Sequence, residues 1–293
     1  MQALDPDGGR RPPPAPAAER TRSRWTTIGL LALIGAGLAL VYAPFLLWLG
    51  RATWNTAQLN AGGLLVLFAL AISLRDTLDR QRVRPSLNRD GLGLLIVACA
   101  LLSLAGRYRG WTLPLVLASF CFALSAVVCF LFGPLGMRRF LPAIASLLVF
   151  GLLVGFFPAL DWPLREVAAR YSARLLANLG VGVQLGLTPG HPPALLLNLH
   201  GHVFEVATEC NGFGLLTSAL LLTTILALRV QMSWLRRLGL LAYAVLLAIV
   251  FNFLRIVGIA LVASHTNLSY TLIHEGLGTA VYLAGLLLIW FLV

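Results

Sequence analysis

An all-α polytopic membrane protein, with about eight transmembrane helices and a small extracytoplasmic helix and hairpin before the sixth, is the fold class the sequence predicts. Three observations lead there. Hydrophobic residues make up 59% of the 293-residue chain and charged residues only 11%, about half the charge of a soluble domain of this length. The mean hydropathy is +0.86. The basic residues behind the net charge of +11 are scattered between apolar runs and not gathered on one face, which points to membrane topology signals and away from nucleic acid.

The N-terminal stretch, residues 1–24, is rich in Pro, Arg and Ala and has no short apolar core, so it is expected to be a disordered cytoplasmic tail and not a cleaved leader. A twin-arginine signal at Arg10-Arg11 is the alternative; the Pro run directly after it and the long apolar stretch beyond argue against that. Eight apolar runs follow: Trp25–Leu49, Leu59–Leu74, Gly91–Ala105, Trp111–Phe132, Phe140–Leu160, Val206–Leu228, Leu238–Ser264 and His274–Val293. Arginines near span ends mark the cytoplasmic side. With eight spans, Arg75 to Arg89, Arg138-Arg139, Arg229 and Arg236-Arg237 all fall on that side, and both termini lie in the cytoplasm of a cell (inner or plasma) membrane protein. Arg165, Arg170 and Arg174 land outside, in a segment long enough for the charge rule to weaken.

That outer segment, 161–203, reads as structured. LREVAARYSARLLANLG patterns as an amphipathic helix with Leu164, Val167, Ala168, Tyr171, Leu175 and Leu176 on one stripe and Gly180 as its stop. VGVQLGL and ALLLNLHGHVFEV read as two strands around TPGHPP. A helix and hairpin on the outer membrane surface are expected.

Three polar residues of the last spans share one height. Cys210 lies about 19 residues from Arg229, Arg255 about 18 from Arg237, and His274 about 19 from Val293. At 1.5 Å per residue each sits roughly 27–29 Å up, near the outer edge of the hydrocarbon. Their chemistry is complementary. Intramembrane Arg normally faces a protein interior with a partner, and Asn252, one turn before Arg255, could orient it. A thiol at a helix start beside cations has its thiolate favoured, with Glu209 opposing this unless it pairs with Arg255 or holds His274. An imidazole can take and return a proton, and a guanidinium can stabilise an oxyanion. The set reads as an outward-facing cysteine acyl-transfer centre.

Cys210-Asn211-Gly212, the N-x-x-R of Asn252 to Arg255, and the His-Glu-x-x-Gly of His274 to Gly278 resemble the exosortase/archaeosortase family over Leu179 to the C-terminus. The family pattern is a Cys-Ser-Gly-like box, an N-x-x-R helix, and a His opening the last helix. The resemblance implies a cysteine protease or transpeptidase that cuts membrane-tethered substrate proteins at a C-terminal sorting signal (short motif, apolar helix, basic tail) through a thioester. It also implies that Cys210, Arg255 and His274 are the catalytic set. Asn211 stands where Ser is commoner, and Thr208 where many members carry an acid. The chain then divides into the 1–24 tail, N-terminal transmembrane helices over 25–135, and a catalytic transmembrane core over 136–293.

Other residues draw plainer readings. Cys99, Cys121 and Cys129 are expected to be packed hydrophobes without disulfides. His265 is the rival base to His274. His200 and His202, with Glu205, lack a metal-site spacing and are read as a polar rim where substrate enters; no metal or other cofactor is expected. Gly35-Ala36-Gly37 and Gly62-Gly63 read as close helix contacts, and the basic 75–89 connection as a topology signal that also attracts lipid headgroups. The alternatives from other classes are a permease using Arg255 to bind an anion, or an export-associated scaffold without cysteine catalysis.

Overall fold

The computed structural model describes residues 29, 32–80, 88–188, 194–199, 202–206, 208–266 and 270–292. The 1–24 tail, His200, His191 and much of the 75–89 connection lie outside these residues, as do the side chains of His202 and Glu209. The chain divides into two units, residues 1–43 and 44–293. In the first, α1 spans Ala32–Val41. Among the described residues, a Cβ on its Gly35 or Gly37 would meet nothing within 4 Å.

The second unit holds the helices α2 (Ala43–Trp54), α3 (Ala57–Arg80), α4 (Arg89–Arg107), α5 (Thr112–Asn178), α6 (Phe213–Arg229), α7 (Trp234–His265) and α8 (Tyr270–Leu292). Among the described residues, five helices are long and apolar enough to cross a membrane, or six if α1 and α2 together make one broken span. The single first span expected over Trp25–Leu49 is thus replaced by two helices with a break at Tyr42. The helices expose apolar side chains outward: Leu64, Leu67 and Phe68 on α3, Leu95 and Ile96 on α4, Leu283 and Leu287 on α8. Such faces suit lipid and not water.

Residues of α5 are helical from end to end except at Gly133, where φ is 67°. That left-handed conformation is open to glycine at little cost. The consequence is a hairpin. A Cβ on Gly155 would sit 2.5 Å from Leu113 Cδ2, and one on Gly151 would sit 2.6 Å from Leu117 Cδ1. On a straight helix Leu113 and Gly155 would be about 63 Å apart. The limbs 112–132 and 134–178 therefore run antiparallel, with glycines letting them approach closely. Small polar groups tie α4 to the first limb: Ser119 Oγ donates to Ala98 O (2.7 Å) and Asn88 Nδ2 to Cys129 O (2.8 Å). Asn88 also caps α4, accepting from Gly91 N. α4 buries only Gly91, Ala98 and Ala105, a stripe with a seven-residue repeat, so Cys99 faces outward and is not the packed hydrophobe expected. Gly62 of α3 works as anticipated: a Cβ there would lie 2.8 Å from Thr217 Cγ2 of α6 and 2.9 Å from Phe150 Cε2. Leu117, Phe140, Leu147, Phe150, Leu59, Phe213 and Leu221 form the core where these helices meet.

The second limb of α5 runs on for about 67 Å, well past the ~30 Å hydrocarbon thickness. The fifth span and the outer amphipathic helix, expected as separate elements, are one helix through Pro158 and Pro163. Its buried face is also narrower than the expected stripe. Ala168, Ala169, Ser172 and Leu176 are buried while Val167, Tyr171 and Leu175 are exposed, because the sheet lies only on the small-residue face. That sheet has three strands and not two: β1 (Val183–Thr188), β2 (Ala194–Leu199) and β3 (His202–Glu205), antiparallel in the order β1-β2-β3. Alternate residues Leu195, Leu197 and Leu199 of β2 are buried, packing with Ala168, Leu176, and Ile256, Val257 and Ala260 of α7. Cys210 belongs to this cluster, which fixes the sheet beside it.

Candidate functional site

The chain leaves β3 through Val206, whose N–H donates to Leu195 O (2.8 Å), and makes one 3-10 turn over Thr208–Cys210. Asn211 N then donates to Thr208 O (3.2 Å), and Gly212 takes a left-handed conformation (φ 79°) that turns the chain into α6. α6 therefore begins at Phe213, seven residues later than the apolar run at Val206 suggests; the intervening backbone shapes the cysteine loop.

Two neighbours hold that loop. On one side, Asn211 Oδ1 accepts from Phe213 N (2.7 Å), satisfying one of the N–H groups left over at the start of α6. The same amide donates through Nδ2 to Asp161 Oδ1 (2.7 Å), and the other oxygen of Asp161 pairs with Arg165. Arg165 in turn lies over the Trp162 ring, 5.6 Å from its centroid. On the other side, Asn252 Nδ2 of α7 donates to Cys210 O (3.1 Å). Asn252 packs so closely that a Cβ on Gly212 would lie 2.7 Å from its Cγ. Helix spacing suggests that Asn252 orients Arg255; its amide also holds the backbone of Cys210.

The three polar residues of equal height come together. Cys210 Sγ lies 3.4 Å from His274 Nε2, and Arg255 Nη2 lies 3.4 Å from the same nitrogen. Cys210 is buried and the other two are half-buried. Gly278, one turn beyond His274 on α8, makes room for the guanidinium: a Cβ there would stand 2.8 Å from Arg255 Nε. His274 does not open α8, as expected, but sits in its second turn, since the helix starts at Tyr270. His265, the rival base, is exposed at the end of α7 with Nδ1 2.9 Å from Leu261 O, ten residues and about 15 Å along the helix from Arg255. A small crevice of about 20 Å³ opens beside the sulfur, lined by Leu197, Glu205, Val206, Cys210, Ile256, Ile259 and Ala260. It has room for roughly one water molecule.

Sequence reasoning missed Asp161 and Arg165. The signal was available: an acid at the end of an apolar span is costly unless partnered, and Asp161 is one. It also took Glu205 only as a neighbour of histidines, whereas the crevice places it next to Cys210. Among the described residues, no group of three or more His, Cys, Asp or Glu gathers as a metal-binding cluster.

A thiol, an imidazole and a guanidinium meeting at the end of a helix bundle define a multi-pass membrane protein with a cysteine–histidine–arginine centre. The sequence pattern described as transmembrane exosortase matches residues 54–291, and the chain belongs to that family. No curated protein and no solved structure matches it.

Proposed function

We propose that this member of the exosortase family is an integral membrane cysteine protease or transpeptidase. It cleaves membrane-tethered proteins at a C-terminal sorting signal, on the extracytoplasmic face of the cell membrane. Its two termini are cytoplasmic. Eight passes follow if α1 with α2 counts as one, the two limbs of α5 as two, and α6, 17 residues and so about 25 Å long, as one.

The observation that carries the reading is the shared nitrogen: Sγ of Cys210 and Nη2 of Arg255 both lie 3.4 Å from His274 Nε2. A neutral imidazole offers one lone pair there, so thiol and guanidinium compete for it. Transfer of the thiol proton to Nε2 ends the competition. The thiolate attacks the scissile carbonyl, and the guanidinium turns its N–H groups to the oxyanion that forms. His274 then returns its proton to the leaving amine, leaving an acyl-thioester on Cys210. Attack by the acceptor, whose proton passes to His274, releases the product and restores the thiol. Asn252 and Asn211 support this by fixing the backbone on either side of the nucleophile. His200 and His202 remain the proposed polar rim where substrate enters.

The test is substitution with trapping. Cys210→Ala should insert normally and stop processing, and mass spectrometry of wild-type enzyme with substrate should find the acyl group on Cys210. Processing by Cys210→Ala at the wild-type rate rejects the mechanism.

A further inference from the structure

We propose that the outer edge of β3 is a docking strand for the substrate: the extended segment preceding its membrane anchor adds to the sheet and is thereby led to the sulfur. This rests on the peptidase reading above and adds to it the means by which a peptide is held.

The register decides which main-chain groups are available. Glu205 pairs with Leu196, so Val206 lies opposite Leu195, and Val206 N donates to Leu195 O. In an antiparallel ladder, residues that exchange hydrogen bonds alternate with residues that do not. His202, Phe204 and Val206 therefore turn their N–H and C=O groups toward β2, and Val203 and Glu205 turn theirs away. No described strand lies on that side, because β3 ends the sheet. Val203 is 58% exposed and Glu205 is exposed as well. Two donor–acceptor pairs spaced two residues apart, about 7 Å, thus face outward. An extended peptide supplies the complementary pattern, and adding a strand to an open edge is a recurrent way to bind one.

Position selects this edge over its opposite. Glu205 and Val206, at the end of β3, line the crevice beside Cys210. A peptide lying along β3 is thereby brought beside the residues that adjoin Cys210. The outer edge of β1 is also open, with Val183, Leu185 and Leu187 turned outward by the same alternation, but it is two strands away, about 9–10 Å.

The first arm of the experiment leaves the enzyme intact. Substrates carrying one N-methylated backbone amide at a time are processed by the full-length protein in nanodiscs. KM should rise roughly 3- to 10-fold at alternate positions on one side of the scissile bond, the effect of one lost backbone hydrogen bond, with kcat little changed. A second arm uses Val203→Pro, which deletes an outward N–H that β2 does not use, and Leu185→Pro on the opposite edge. Val203→Pro should raise KM and Leu185→Pro should not. A flat methylation scan, or equal effects of the two prolines in proteins of normal abundance, overturns docking on β3. Processing by Cys210→Ala would instead overturn the peptidase reading, so the two failures are distinct.

Discussion

Cys129, in the first limb of α5, and Cys210, ahead of α6, are anchored alike. An asparagine amide donates to the carbonyl of each: Asn88 Nδ2 at 2.8 Å and Asn252 Nδ2 at 3.1 Å. Their sulfurs face different partners. Cys129 Sγ lies 3.5 Å from Asn88 Oδ1, an amide oxygen with no useful basicity, whereas Cys210 Sγ lies 3.4 Å from an imidazole nitrogen that can accept a proton. Asparagine at a cysteine carbonyl is thus a way of fastening helices and loops together. The basic nitrogen, with a guanidinium behind it, separates a candidate nucleophile from a packing residue.

Substitutions at five positions break or sharpen that contrast. Replacing His274 by Asn gives Cys210 the partner that Cys129 has, and processing should fall by about 10²–10⁴ at equal protein abundance, the contribution of a positioned acid–base group. Arg255→Gln should cost about 10²–10³ in kcat, as loss of an oxyanion donor does; Gly278→Ala, whose Cβ presses on the Arg255 guanidinium, should cost less and leave abundance normal. Asp161→Ala releases the amide of Asn211, and should lower kcat on the order of tenfold, with partial recovery in Asp161→Asn. Last comes the packing site: Asn88→Leu should lower thermal stability by about 1–3 kcal/mol through the lost cap and carbonyl bond, while each folded molecule processes substrate at the wild-type rate. A loss of specific activity in Asn88→Leu would show that the two cysteine sites are coupled.

Much of this was legible beforehand, for identifiable reasons. Apolar runs are long, and lipid demands that their backbone be satisfied within each helix, so the helices from Leu59 onward were found even where their ends shifted. The common height of Cys210, Arg255 and His274 followed from the fixed rise of a helix. Boundaries were harder. α6 starts late because Asn211 and Gly212 cap it, and a cap is set by φ at one glycine and by an acid 50 residues away, not by hydropathy. The buried face of the outer helix was misread because Tyr171 and Leu175 are apolar but the sheet covers Ala168 and Ser172. Periodicity shows that a helix has an apolar side without showing what will lie against it.

Composition and order along the chain determined, without coordinates, that this is a membrane protein with a thiol, a guanidinium and an imidazole near one surface, since burial in lipid and helical rise depend on local sequence alone. Which of these groups touch was decided by tertiary structure. The reversal at Gly133, the long second limb that carries Asp161 to Asn211, and the sheet seated against α7 are contacts between distant segments. Their partners are chosen by packing in three dimensions, where no local pattern records them.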